Sequence, residues 1–239
     1  MTVRYGDLSA EWLGYASVRL ETADGTVVYT DPGRYGVLDE YWGKDADLVV
    51  VTHDHHYDPD GIRSVAGNDA TLVIYEGVDT SRIGRDVDTI DDLATTFDVI
   101  RVSDDDCVTV ADITVWSVEA YNDPDGANAS PSGDVTHPPG FGCGFRIAMG
   151  GHSVFWMGDS DALEGFAELD VSVFLANIGG GGVVADRHET AELAGAMRPD
   201  LVIPVHYDTP DSLAADSGAF ARDVARQSIP VALDESGVD

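Results

Sequence analysis

The chain contains a single lysine, Lys44, among 239 residues. Lysine and arginine together number 13 against 44 aspartates and glutamates, a formal net charge of −31. No stretch gathers the clustered cations that a nucleic-acid surface requires, so no nucleic-acid partner is expected. Cysteine is also scarce. Cys107 and Cys143 cannot build a disulfide framework and are expected to be free thiols in a reducing cytosol, with Cys143 read as a small buried strand residue. Long apolar runs are missing too: residues 48–51 and 171–176 are the longest, far short of the ~20 needed to cross a bilayer. The first seven residues lack the apolar core of a secretory signal, and a cytoplasmic location without membrane attachment is the expectation.

High net charge often accompanies disorder, but a disordered chain is poor in apolar residues. Here 44% of the chain is hydrophobic and only 24% is charged, enough to bury a sizeable core. No linker or repeat divides the chain, so one domain over residues 1–239 is expected.

The order of elements follows from periodicity and turn chemistry. Residues 11–21 alternate loosely, Ala23-Asp24-Gly25 makes a turn, and residues 26–30 return as a strand. The nearly unbroken apolar run 47–52 suits a strand buried on both faces. Asp58-Pro59 reads as an N-cap followed by proline at the first helical position, opening a helix to about residue 66. Further strands are expected at 70–75, 99–102, 107–110, 113–118, 143–149, 153–157, 171–176, 201–205 and 231–233. Helices are expected at 90–94, 187–197 and 212–226, and a long polar loop at 122–140. β-rich halves closing in helices predict a layered α/β sandwich.

The seven histidines carry the chemistry. His53, His55 and His56 follow the strand ending at Thr52, His137 ends the long loop, and His206 follows the strand 201–205. Asp159 follows the strand 153–157 in the same manner. Imidazole and carboxylate groups just beyond several strand ends suit a shared site for Zn, Mn or Fe. His152 and His188 are expected to face solvent.

The ordered motifs Thr52-His53-Asp54-His55, Ala120-Tyr121-Asn122 with His137-Pro138, Gly158-Asp159 and Pro204-Val205-His206-Tyr207 resemble those of the metallo-β-lactamase fold superfamily. With Trp12-Leu13-Gly14 and Thr30-Asp31-Pro32-Gly33, the chain is similar to the ascorbate-phosphate lactonase-like branch of metal-dependent hydrolases over roughly residues 10–210. The resemblance implies a four-layer αβ/βα sandwich. It further implies a first metal held by His53, His55 and His137, a bridging Asp159, and a second metal bound with help from His206.

The chain departs from the family motif His-x-His-x-Asp-His, reading His53-Asp54-His55-His56-Tyr57-Asp58. Either Asp58 stands for the final histidine, or a two-residue deletion aligns His56 with it and preserves the helix start. One or two divalent ions therefore remain open, with Asp58 a candidate general base or an N-cap. Tyr15 stands where this branch has a histidine. Asp31 could orient a ligand imidazole or cap a turn. Residues 179–182 could admit a substrate anion or form an ordinary turn, and Arg187 could bind such an anion or pair on the surface.

The resulting expectation is a hydrolase in which a metal-activated water attacks a small ester, lactone or phosphoester. The alternative is a metal-binding or ligand-sensing protein without turnover. The acidic, lysine-poor composition is also similar to that of haloarchaeal proteins, whose dense carboxylates are screened in ~1 M salt, where the Debye length is ~3 Å.

Overall fold

The computed structural model describes residues 2–234. Two sheets form its framework. The first holds seven strands in sequence order: β1 (Val3–Tyr5), β2 (Leu8–Gly14), β3 (Ser17–Glu21), β4 (Val27–Thr30), β5 (Ala46–Val51), β6 (Ala66–Tyr75) and β7 (Asp98–Val102). The second comprises β8 (Cys107–Val110), β9 (Ile113–Ala120), β10 (Gly142–Met149), β11 (His152–Trp156), β12 (Val173–Asn177) and β13 (Leu201–Val205).

Each sheet starts as an antiparallel meander and continues with parallel strands. β1 to β4 pair antiparallel and β4 to β7 parallel. Likewise β8 to β11 pair antiparallel, and β11 to β13 parallel. Parallel strands require crossovers; three of the five run through helices α1 (Pro59–Val65), α2 (Ile90–Leu93) and α3 (Arg187–Met197), and α4 (Ser217–Ala225) packs on α3. The arrangement is the expected α/β sandwich.

Burial explains the strand patterns. All residues of β12 and β13 are buried, as are Leu48 to Val51 in β5, because strands covered on both faces need no polar side. β2 instead alternates strictly between buried and half-buried, as a strand with one wet face should. One apolar cluster, including Trp12, Phe145, Phe155, Trp156 and Phe174, draws on both sheets.

Several boundaries differ from the sequence reading. Residues 11–21 are not one strand. Gly14 and Tyr15, at φ 111° and 48°, break them into β2 and β3, with an unforeseen β1 beside them. The helix expected over 212–226 opens with a separate 3-10 turn, and α4 begins only where Asp216 caps Ala219 N. The expected strand 231–233 is reduced to one bridge between Val231 and Val202. α1 forms where Asp58 and Pro59 foretold it, and α3 has the expected bounds.

Candidate metal centre

The carboxyl ends of β4, β5, β11 and β13, with the loop after β9, lie along one rim of the sandwich. Open α/β sheets place ligands outside the carboxyl ends of their strands. Here those ends deliver Asp31, His53, Asp159 and His206, all buried. The loop after β9 brings in His137, and the turn after β5 adds His55 and His56.

Asp159 is the centre of the cluster. His53 Nε2 and His137 Nε2 each lie 3.5 Å from its Oδ2. His56 Nε2 lies 3.3 Å and His206 Nε2 3.1 Å from Oδ1. His55 Nδ1 is 3.0 Å from His137 Nε2. His53 and His137 therefore meet one oxygen of the Asp159 carboxylate, with His55 against His137, and His56 and His206 meet the other.

The outer hydrogen bonds decide which ring nitrogens face inward. Asp31 accepts from Thr52 N at 2.8 Å, Thr52 Oγ1 at 2.8 Å and Trp156 Nε1 at 2.7 Å. His56 Nδ1 lies 2.9 Å from the same carboxylate, so Nδ1 carries the proton and Nε2 presents its lone pair to the site. His53 Nδ1 is 2.9 Å from Thr52 Oγ1, whose own proton goes to Asp31. His137 Nδ1 faces two acceptors, Asn122 Oδ1 and Val183 O, each at 3.1 Å. The imidazoles of His53, His56 and His137 are thus fixed in orientation and tautomer by outer partners, as metal-binding histidines usually are.

The inner atoms lack such partners. Both carboxylate oxygens of Asp159 and Nε2 of His53 are buried without a hydrogen bond. Leaving a buried carboxylate unsatisfied costs several kcal/mol, so the donor set calls for a cation. Its spacing fits one: two ligands about 2.0–2.1 Å from an ion at a tetrahedral angle stand about 3.3–3.4 Å apart. The residues present therefore fit a divalent metal.

Electrostatics support neutral ligands. Burial drives His53 well below the ordinary histidine value and lowers His137, and it pulls His55 and His206 down to about 4. His56 is also opposed by burial, yet the Asp159 and Asp31 carboxylates outweigh that and raise it. Burial works against an ionised Asp159, but His206, His56 and His53 hold it well below the usual carboxylate range.

Other residues fall elsewhere. Asp58 caps α1, its Oδ1 accepting from Asp60 N and Gly61 N at 3.2 Å, while Oδ2 lies 3.5 Å from Arg85. Its carboxylate caps the helix end, the second of the two roles the sequence left open. Arg187 pairs with Asp223 at 2.7 Å rather than facing the site. Gly180, Gly181 and Gly182 all have positive φ, forming a turn that brings Val183 O to His137. His152 is half-buried between Asp7 and Tyr5, not solvent-facing, whereas His188 is exposed. Cys143 is buried in β10 and Cys107 is exposed; both are free thiols.

The sequence missed the walls. Tyr15 lies tilted against His206 at 4.3 Å and meets His56 edge-on at 5.0 Å, and Phe141 lies 5.1–5.8 Å from the rings of His53, His55 and His137. Phe141 carried no periodic signal, whereas Tyr15 was marked only by standing at a histidine position. A cavity of about 240 Å³ opens onto Asp159 between Tyr15, Arg34, Tyr35, His55 and Val183. A larger one, about 920 Å³, lies apart against α3 and holds none of the clustered histidines.

These features match known proteins. Residues 9–206 fit the family model described as the beta-lactamase superfamily domain. A UPF0173 metal-dependent hydrolase of Pyrococcus furiosus is 25% identical over 195 residues, covering 80% of this chain and 79% of that protein. The crystal structure of a candidate metal-dependent hydrolase of Parabacteroides distasonis superposes with TM-score 0.72 at 19% identity, over 98% of this chain and 96% of the other. The metallo-beta-lactamase fold protein YhfI of Bacillus subtilis gives 0.65 at 14% identity, over 95% and 96%. The chain belongs to the beta-lactamase superfamily and has the metallo-β-lactamase fold.

Proposed function

We propose that the protein is a metal-dependent hydrolase of small esters, lactones or phosphoesters. The observation that carries this reading is Asp159: two buried oxygens without hydrogen bonds, each faced by two imidazole nitrogens. His53, His55 and His137 with Asp159 Oδ2 would hold one divalent ion, and His56 and His206 with Oδ1 a second; zinc and manganese suit these donors best, and iron also fits. His56 thus takes the place of the motif's final histidine. When bound, the metal supplies Lewis acidity that polarises a carbonyl or phosphoryl oxygen and makes water nucleophilic at neutral pH.

The chain's own residues do the rest. Asp31 and Asn122 keep the protons of His56 and His137 on Nδ1, leaving their Nε2 atoms as ligands. Tyr15 and Phe141 exclude water from two sides. Asp159 is a ligand rather than a base, because both its oxygens face imidazoles. Close relationship to the ascorbate-phosphate lactonase branch belongs to the same proposal, on the motifs that surround this cluster.

The test is hydrolysis of a panel of lactones, phosphodiesters and thioesters with Zn or Mn, beside His137→Ala. Metal uptake and turnover should disappear together. Full activity in a metal-free His137→Ala protein would refute the reading, and bound metal with no turnover across the panel would favour the sensing alternative.

A cytoplasmic location is proposed on the free thiols, and no described helix is long and apolar enough to cross a membrane. A halophilic setting is proposed on the −31 charge.

A further inference from the structure

We infer that the substrate of this site is a small anion whose carboxylate or phosphate group is seated on Arg34; this deepens the hydrolase reading and rests on it. The 240 Å³ cavity over Asp159 has one permanent cation among its lining residues, Arg34. Several other arginines of this acid-rich chain find carboxylates: Arg19 meets Asp45, Arg63 meets Asp88, Arg82 meets Asp54 and Arg187 meets Asp223. Arg34 has no ion pair among the described residues. Its Nε donates to His55 O at 2.9 Å, which aims the side chain at the site and leaves the two terminal nitrogens for a ligand. A guanidinium offers that edge as a planar pair of donors matched to carboxylate and phosphate.

The turn that carries Arg34 is strained, as ligand clamps often are. Tyr35 has φ 58° although it is bulky, and it is 57% exposed. Its ring lies 4.9 Å from the Arg34 guanidinium carbon and 4.8 Å from the ring of Tyr15, which in turn packs against His206. Gly33 pins the turn against α1: a Cβ there would stand 2.6 Å from Gly61 Cα. Arg34, Tyr35 and Tyr15 thus form one continuous wall from the cavity mouth to the cluster. Thr136 and Ser212, also lining the cavity, offer hydroxyls to the same ligand. The volume restricts that ligand to a few heavy atoms beyond its charged group.

The test is calorimetric titration of inorganic phosphate, and in a second arm succinate, into the metal-loaded protein and its Arg34→Gln and Arg34→Lys variants in molar salt. Arg34→Gln should weaken binding by at least about 10-fold, Arg34→Lys should recover part of it, and metal content should stay unchanged in both. Dependence on Arg34 for phosphate alone assigns phosphorylated substrates, and for succinate alone carboxylated ones. Equal affinity in wild type and Arg34→Gln for both anions, or no binding of either by wild type, overturns the assignment. A wild-type protein that takes up no metal refutes the hydrolase reading instead, and its anion titrations still report on Arg34.

Discussion

Replacing Asp31 with alanine deprives four buried donors of their acceptor: Thr52 N, Thr52 Oγ1, Trp156 Nε1 and His56 Nδ1. Each buried donor left unsatisfied costs about 1–3 kcal/mol, so even the lower figure gives ~4 kcal/mol. That is a large share of the ~5–15 kcal/mol typical of a folded domain. Asp31 also sits at φ 38°, where a residue without a short polar side chain is further penalised. Asp31→Asn is the sharper variant, because it tolerates the backbone and retains one acceptor oxygen. It should fold, yet it no longer holds the His56 proton on Nδ1, and metal affinity should fall by about 10–100-fold. Urea denaturation in molar salt reads the first effect, and metal titration by competition with a chelator reads the second. Unchanged metal affinity in folded Asp31→Asn, with an unchanged urea midpoint in Asp31→Ala, would show that Asp31 neither orients His56 nor braces the rim.

Three further outcomes follow from the same geometry. Asp58→Ala should cost about 1 kcal/mol through the lost α1 cap while leaving metal content and turnover within a few-fold; a collapse of turnover in the folded variant would restore Asp58 as a base. In the metal-free protein, His53, His55, His137 and His206 are lowered and only His56 is raised, so the net stability they confer is complete above the ordinary value of about 6.5 and is lost as pH falls toward about 4. Thermal midpoints of metal-free protein should drop across that window, and a flat profile would contradict buried neutral imidazoles. Dialysis to ~10 mM salt, where the Debye length reaches ~30 Å, should erode the circular dichroism signal, since the charge of −31 is then unscreened; an unchanged spectrum would remove the halophile reading.

Much of the fold was legible because its signals are local. The apolar run of β5, the Asp58-Pro59 start of α1 and the periodicity of α3 each report their own environment. The histidines and Asp159 could be grouped from the sequence because most of them directly follow strands, and the structure brings them together. The roles left open were those that depend on contacts distant in sequence. Asp31 can cap a turn or orient a ligand, and only the approach of Thr52, Trp156 and His56 decides. The break at Tyr15 depends on a ring that packs against His206, 191 positions away, and the glycine turn serves a backbone carbonyl that no side-chain pattern encodes. Nothing in the sequence singles out Arg34, because the absence of a carboxylate partner is a property of space, not of order.

The most direct measurement is a crystal structure of metal-loaded protein with anomalous scattering at the metal edge. The account predicts one peak between His53, His55, His137 and Asp159 Oδ2, and any second peak between His56, His206 and Asp159 Oδ1. A metal bound through Asp58, or a fully loaded protein with no peak beside Asp159, would contradict it.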